Sequence, residues 1–176
     1  MKILLNICCG PCSIYPVKKL RENNYEVMGF FYKNNIHPYT ECLKRQQTLE
    51  EYADQIKMKV IYQDEYDLEG FLQKIIYREK MRCRVCYHER LLTTALMAKR
   101  GKFDYYSTTL LYSKFQNHEL LKTFGEAIGK SVGIPFYYED FRTGWKEGIE
   151  TSKQLGMYRQ QYCGCIYSEK ERYYHK

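Results

Sequence analysis

Seven of the chain's eight cysteines fall into three short groups, and the chemistry of those groups is the first thing to account for. In "LLNICCGPCS" (4–13), Cys8, Cys9 and Cys12 crowd a turn after an apolar run. In "CRVC", Cys83 and Cys86 carry the C-x-x-C spacing, which brings two thiolates close enough to share one metal ion or cluster. Thioredoxin-like redox pairs use the same spacing, but this one does not follow a first strand, which weakens that reading. Joined with Cys8 and Cys9 it supplies four thiolates from two loops, enough for zinc or for a [4Fe–4S] cluster. Consecutive side chains diverge, so Cys8 and Cys9 suit the separated corners of a cluster better than one tetrahedral zinc ion. A zinc knot that staples the loops is the competing structural reading. In "CGC", a single glycine between Cys163 and Cys165 permits a small, strained disulfide of labile potential, suited to storing two electrons. Its alternative is one more metal-ligand pair.

Five residues are weighed singly: Cys12 of the first group, and Cys42, His37, Asp140 and Arg142 outside the groups. Cys12 is either a ligand or packing beneath its loop, and Cys42, inside a helical pattern, reads as a small core or surface residue. His37, before Pro38, is a candidate acid or ligand, although a lone histidine is most often a turn residue. Asp140 and Arg142 in "EDFR" follow a strand pattern, which makes them active-site candidates, and a surface ion pair is their plain alternative.

The elements that must hold these residues are legible as an α/β succession. "KILLNI" (2–7) is a continuous apolar run, as expected of a parallel strand buried on both faces. A helix over 14–24, a strand over 26–32, a helix over 38–57 and a strand at 59–63 follow. Helices are expected over 68–80 and in the second half of 81–102, stopped at Gly101. A strand over 105–111 breaks into a loop running to Gln116, and Asn117 is placed to cap a helix over 117–133. A final strand at 135–140 and a helix at 144–157 lead to the "YCGC" tail. This pattern predicts a Rossmann-like parallel sheet of about five strands with helices on both faces. It forms one domain over 1–176, with 141–176 as a C-terminal helix and cysteine-bearing tail packed on it. Ligands in such sheets sit beyond the carboxyl ends of the strands, where the cysteine turn, His37 and Asp140 all fall.

The chain's 176 residues are 44% hydrophobic, enough for a true core. No run approaches the roughly 18–20 apolar residues of a membrane span, and the N-terminus lacks a signal-peptide layout, so a cytoplasmic protein without membrane contact is expected. In that reducing compartment clustered thiols bind metal or do redox chemistry more often than they form structural disulfides. The net charge of +7 and nineteen tyrosines suit phosphate attraction and base stacking on an RNA, or simply a basic surface over a tyrosine-rich core.

Together "NICCGPCS", "FFYKNNIHPYTEC", "CRVCYHERL", "YYSTTLLYSKFQN", "YYEDFRTGW" and "YRQQYCGCIYS" resemble, in order and spacing, the QueH-type epoxyqueuosine reductases over nearly the whole chain. The resemblance implies a nucleotide α-hydrolase-like Rossmann fold and the last step of queuosine biosynthesis, reduction of epoxyqueuosine at the tRNA anticodon wobble position. It implies a [4Fe–4S] cluster on Cys8, Cys9, Cys83 and Cys86, and a redox-active disulfide between Cys163 and Cys165. It also implies an additional iron ion, for which Cys12 is the nearest candidate. Two departures stand out: "KNNIHP" replaces the more usual Asn-Pro before His-Pro, and Cys42 stands where an aromatic is expected. Converting an epoxide to an alkene and water takes two electrons and two protons, which requires an electron donor that the sequence does not identify. His37 or Asp140 would protonate the leaving oxygen. Two other functions compete. One is an ATP-dependent thiolation-type tRNA-modifying enzyme, disfavoured because Pro11 removes a backbone donor from the phosphate cradle. The other is a zinc-stabilised RNA-binding module.

Overall fold

The computed structural model describes residues 1–175, so Lys176 of the expected 141–176 segment lies outside them. Strand β1 (Lys2–Ile7) is the centre of the sheet. Its Ile3, Leu4, Leu5 and Ile7 are fully buried, as an apolar run without alternation requires. The order is β3-β2-β1-β4, with β2 at Glu26–Phe31, β3 at Val60–Tyr62 and β4 at Tyr105–Thr108, and all neighbours pair parallel. The strand order reverses direction at β1, which puts a topological switch point beyond the ends of β1 and β4.

Helices fill the crossovers: α1 (Gly10–Glu22), α2 (Tyr39–Gln55), α3 (Leu68–Ile75), α4 (Arg82–Arg100), α5 (His118–Val132), α6 (Trp145–Gln154) and α7 (Ile166–Tyr173). α1 packs with α2 and α6, and α4 packs with α3 and α5, so two helical groups cover the sheet. Asn117 caps α5 as its position predicts, its side chain accepting from Leu120 N at 3.0 Å. None of the described helices is long and apolar enough to cross a membrane.

Four local expectations are corrected. The sheet has four strands rather than about five: 135–140 touches it through one bridge, Tyr106 to Phe136. Pro135 has no N–H to extend that pairing, and Asp140 already caps the 3-10 turn Phe141–Gly144. β4 likewise ends at Thr108, where the chain winds into a 3-10 turn, Thr109–Tyr112. α1 starts at Gly10, four residues before the expected 14, because Cys9 is an extended N-cap and Pro11 is tolerated in a first turn. α4 starts at Arg82, so Cys83 and Cys86 ride on its first turn rather than on a loop.

Candidate active site

The turn after β1 draws three sulfurs together. Cys8 leaves the strand and Cys9 caps α1 with φ −173° and ψ 160°. One helical turn then returns Cys12 to Cys9, whose sulfur accepts from Cys12 N at 3.3 Å. The Sγ atoms of Cys8, Cys9 and Cys12 all lie within 4.8 Å of one another, with Cys8 and Cys9 3.9 Å apart. All three residues are buried. Cys12 is therefore part of the thiol group and not packing beneath it, and this triad has the proximity to bind a metal ion.

The electrostatics of the triad are shared. Hydrogen bonds from Cys12 and Cys9 hold the Cys8 thiol well below its ordinary range, helped by Arg90 and Thr109. Burial pushes Cys9 up, and hydrogen bonding to Cys8 and Cys9 pushes Cys12 up. Thr109, at the start of the turn after β4, accepts from Cys8 N at 3.3 Å and sits 3.5 Å from its sulfur.

The second group faces the first from α4. Cys83 and Cys86, three residues apart, share one side of the first turn. Cys86 Sγ accepts from Asn35 Nδ2 at 2.8 Å, and burial pushes its thiol up to about 12. The Tyr87 hydroxyl, one residue on, donates to Gln116 Oε1 at 2.7 Å, which ties α4 to the loop beside the tail. Hydrogen bonds to sulfur thus draw cysteine groups up to 157 positions apart in the chain (Cys8 to Cys165) toward one end of the sheet.

Backbone contacts hold the "CGC" tail there. Arg45, buried and paired with Glu41 at 2.8 Å, donates to the carbonyls of Tyr162 at 2.9 Å and Cys163 at 2.8 Å. His37 N donates to Gly164 O at 2.8 Å, and the Tyr162 hydroxyl donates to His37 O. Gln116 Nε2 lies 3.3 Å from Cys163 Sγ, and Gln160 Nε2 lies 3.1 Å from Cys12 Sγ. Cys163 and Cys165 are both free thiols.

The two proton-donor candidates are otherwise engaged. His37 is buried, which lowers its pKa and keeps the ring neutral. Its Nδ1 accepts from Ile166 N at 3.2 Å and its Nε2 lies 2.9 Å from Asn34 O, so the proton sits on Nε2. Nδ1 clamps the tail and Nε2 holds the loop after β2, so both ring nitrogens are engaged. Asp140 pairs with Arg142 through contacts of 2.6 and 2.8 Å on a half-exposed turn, and that guanidinium holds its carboxyl below the usual range. It has the geometry of a surface ion pair. Cys42 is a core residue, 1% exposed.

Residue-by-residue reading missed Arg45, Arg90, Asn35 and Gln160, because nothing local marks a charged or amide side chain as buried. Asn6 did leave a signal: it is the one polar residue inside the apolar run of β1 after Lys2, and it is fully buried.

A parallel α/β sheet with a thiol triad gathered at its switch point defines a Rossmann-like α/β protein. A crystal structure of a predicted subunit of tRNA methyltransferase from Methanocaldococcus jannaschii shares the fold, with a TM-score of 0.58 at 12% identity, over 87% of this chain and 74% of that one. The profile described as "Epoxyqueuosine reductase QueH" matches residues 3–171. The chain belongs to that family, whose members are oxidoreductases. Its relatives include the epoxyqueuosine reductase QueH of Dehalococcoides mccartyi, 33% identical over 98% of this chain and 94% of that protein. Another is that of Thermotoga maritima, 32% identical over 97% and 91%.

Proposed function

We propose that this protein reduces epoxyqueuosine to queuosine at the wobble position of tRNA, with the tail dithiol supplying the two electrons and the thiols of the β1 turn and α4 as the residues that would hold an iron–sulfur centre. The observation that carries this reading is that the tail is tied to both other cysteine-bearing elements: Gln160 donates to Cys12 Sγ at 3.1 Å, and Gln116, bonded to Tyr87 of α4, lies 3.3 Å from Cys163 Sγ. The donor set fits an iron–sulfur group. Thiolates come from two elements, and Asn35 and Thr109 bring polar hydrogens to sulfur, as bound clusters receive them. Cys8, Cys9, Cys83 and Cys86 would hold a [4Fe–4S] cluster, and Cys12 stands closest to an additional iron ion. Bound there, these groups supply single-electron transfer and Lewis acidity toward an oxygen.

The chain's own residues supply the balance. Oxidising the Cys163–Cys165 dithiol to a disulfide releases two electrons and two protons. Cleaving the epoxide to an alkene and water consumes two of each. With both nitrogens of His37 and the carboxylate of Asp140 engaged, the thiols themselves are the best-placed proton source. An external electron donor must then reopen the disulfide. Gln116 and the carbonyl contacts of Arg45 fix the tail at the required place.

The +7 net charge would draw the anticodon arm. Phe115, 84% exposed beside Gln116, offers a stacking face for an unpaired base, next to Trp145 with Lys114 over its ring. The ATP-dependent alternative has no matching cradle: Pro11 lacks an N–H and Cys12 N is taken by Cys9 sulfur. Anaerobically purified protein should be brown, with stoichiometric iron and sulfide. A colourless protein with stoichiometric zinc would favour the RNA-binding module. In a strain lacking other epoxyqueuosine reductases, adding this gene should convert epoxyqueuosine in tRNA to queuosine, and persistence of the epoxide would sink the substrate assignment.

A further inference from the structure

Arg90 on α4 is 3% exposed, and no carboxylate pairs with it among the described residues. A buried guanidinium without an anion is costly, so its counter-charge must be sought nearby. Arg45, the other deeply buried arginine of the site, has Glu41. Arg90 instead donates to two neutral amides, Asn6 Oδ1 at 3.4 Å and Asn35 Oδ1 at 2.5 Å, and lies over the Tyr32 ring, 5.5 Å from its centroid. The neighbouring Glu89 is occupied by Lys74 and by the Tyr32 hydroxyl.

The amides point onward to sulfur. Asn35 accepts from Arg90 through its oxygen and donates through its nitrogen to Cys86 Sγ at 2.8 Å. Asn6 turns its oxygen to both Arg90 and Thr108, which leaves its buried Nδ2 without a partner. β1 tolerates that unpaired donor in order to aim an acceptor at Arg90. Asn35 thus joins the guanidinium to the Cys86 sulfur by two hydrogen bonds, and that sulfur is the group on this path able to become an anion.

We propose that Arg90 is the built-in counter-charge of the sulfur site, a positioning residue whose charge, relayed through Asn35, offsets the thiolates and sets how readily the site takes up metal and accepts an electron. This rests on the reading above only in taking Cys8 and Cys86 as ligands. Removing a nearby positive charge makes adding an electron harder and makes an anionic thiolate–metal complex less stable.

The test compares wild type with Arg90→Gln, which keeps hydrogen-bonding groups but loses the charge, Arg90→Lys, which keeps the charge, and Asn35→Asp, which pairs the guanidinium with a carboxylate. In redox titration of anaerobically reconstituted protein, Arg90→Gln and Asn35→Asp should each make reduction at least tenfold less favourable, a shift of about 59 mV for one electron. Arg90→Lys should stay within threefold of wild type. In parallel, cobalt(II) titrated into the apo protein and followed by thiolate-to-cobalt absorption should bind Arg90→Gln at least tenfold more weakly and Arg90→Lys nearly as wild type. Neutral variants that only melt earlier, with unchanged potential and cobalt affinity, overturn the proposal, as does Arg90→Lys behaving like Arg90→Gln. If Arg90→Gln does not fold, the potential of Asn35→Asp decides. A wild-type protein with no reducible iron defeats the iron reading alone, since the cobalt titration still decides the role of Arg90.

Discussion

The side-chain amide of Gln160 donates to Cys12 Sγ at 3.1 Å, joining the C-terminal segment to the first turn of α1 across 148 positions. That contact, with Gln116 on Cys163, makes the tail part of the site's wall rather than an appendage. In the proposed function the thiols divide by location, with those of the β1 turn, α1 and α4 as ligands and those of the tail as the electron store.

That division has a direct consequence. Cys86→Ser should lose iron, since it removes a proposed ligand whose sulfur accepts from Asn35, whereas Cys163→Ser should keep full iron content and lose turnover. Iron and sulfide analysis paired with single-turnover assays distinguishes them. Equal iron loss in both variants would refute the division of labour.

Arg45 ties α2 to the tail, so Arg45→Met acts on both stability and activity. It strands the Glu41 carboxylate, whose side chain is 9% exposed, and it frees the carbonyls of Tyr162 and Cys163. Breaking a buried pair costs about 3–5 kcal/mol. Urea denaturation should show that loss, and Cys163 should alkylate faster in the folded variant. Alkylation at the wild-type rate would mean that the tail holds its place without Arg45.

His37 makes folding pH-dependent. Its folded pKa is lowered by burial, while the unfolded chain titrates near the ordinary value of about 6.5. Between the two the unfolded chain binds more protons, so this contribution is present above about pH 6.5 and is lost as pH falls through the folded value. Stability of apo protein should drop more steeply below pH 6.5 in wild type than in His37→Gln. Parallel curves would show that His37 is not the titrating group.

Phe115 lies against the chain's single tryptophan, Trp145, with ring centroids 5.9 Å apart. Tryptophan fluorescence should therefore report binding of an anticodon stem-loop. Phe115→Ala should weaken that binding by about 1–3 kcal/mol, the range for one base stacked on an aromatic ring. Wild-type affinity in the variant would place the RNA elsewhere.

Much of this architecture is legible in the residue order, because its signals are local. The unbroken apolar run of β1, the alternation of strands and helices, Asn117 at the start of α5 and the three cysteine spacings each depend only on near neighbours in the chain. The motif set was enough to point to the family to which the chain belongs. Tertiary structure decided the rest. Whether 135–140 becomes a strand depends on what Tyr106 offers it, and whether Cys12 joins Cys8 and Cys9 depends on where α1 begins. His37 carries the same residue type whether it donates a proton or clamps a backbone, and only Ile166, 129 positions away, settles which nitrogen carries the proton. Arg90 and Arg45 read as two more surface charges until the fold buries them, because desolvation is a property of the surroundings that assemble around a side chain and not of the side chain itself.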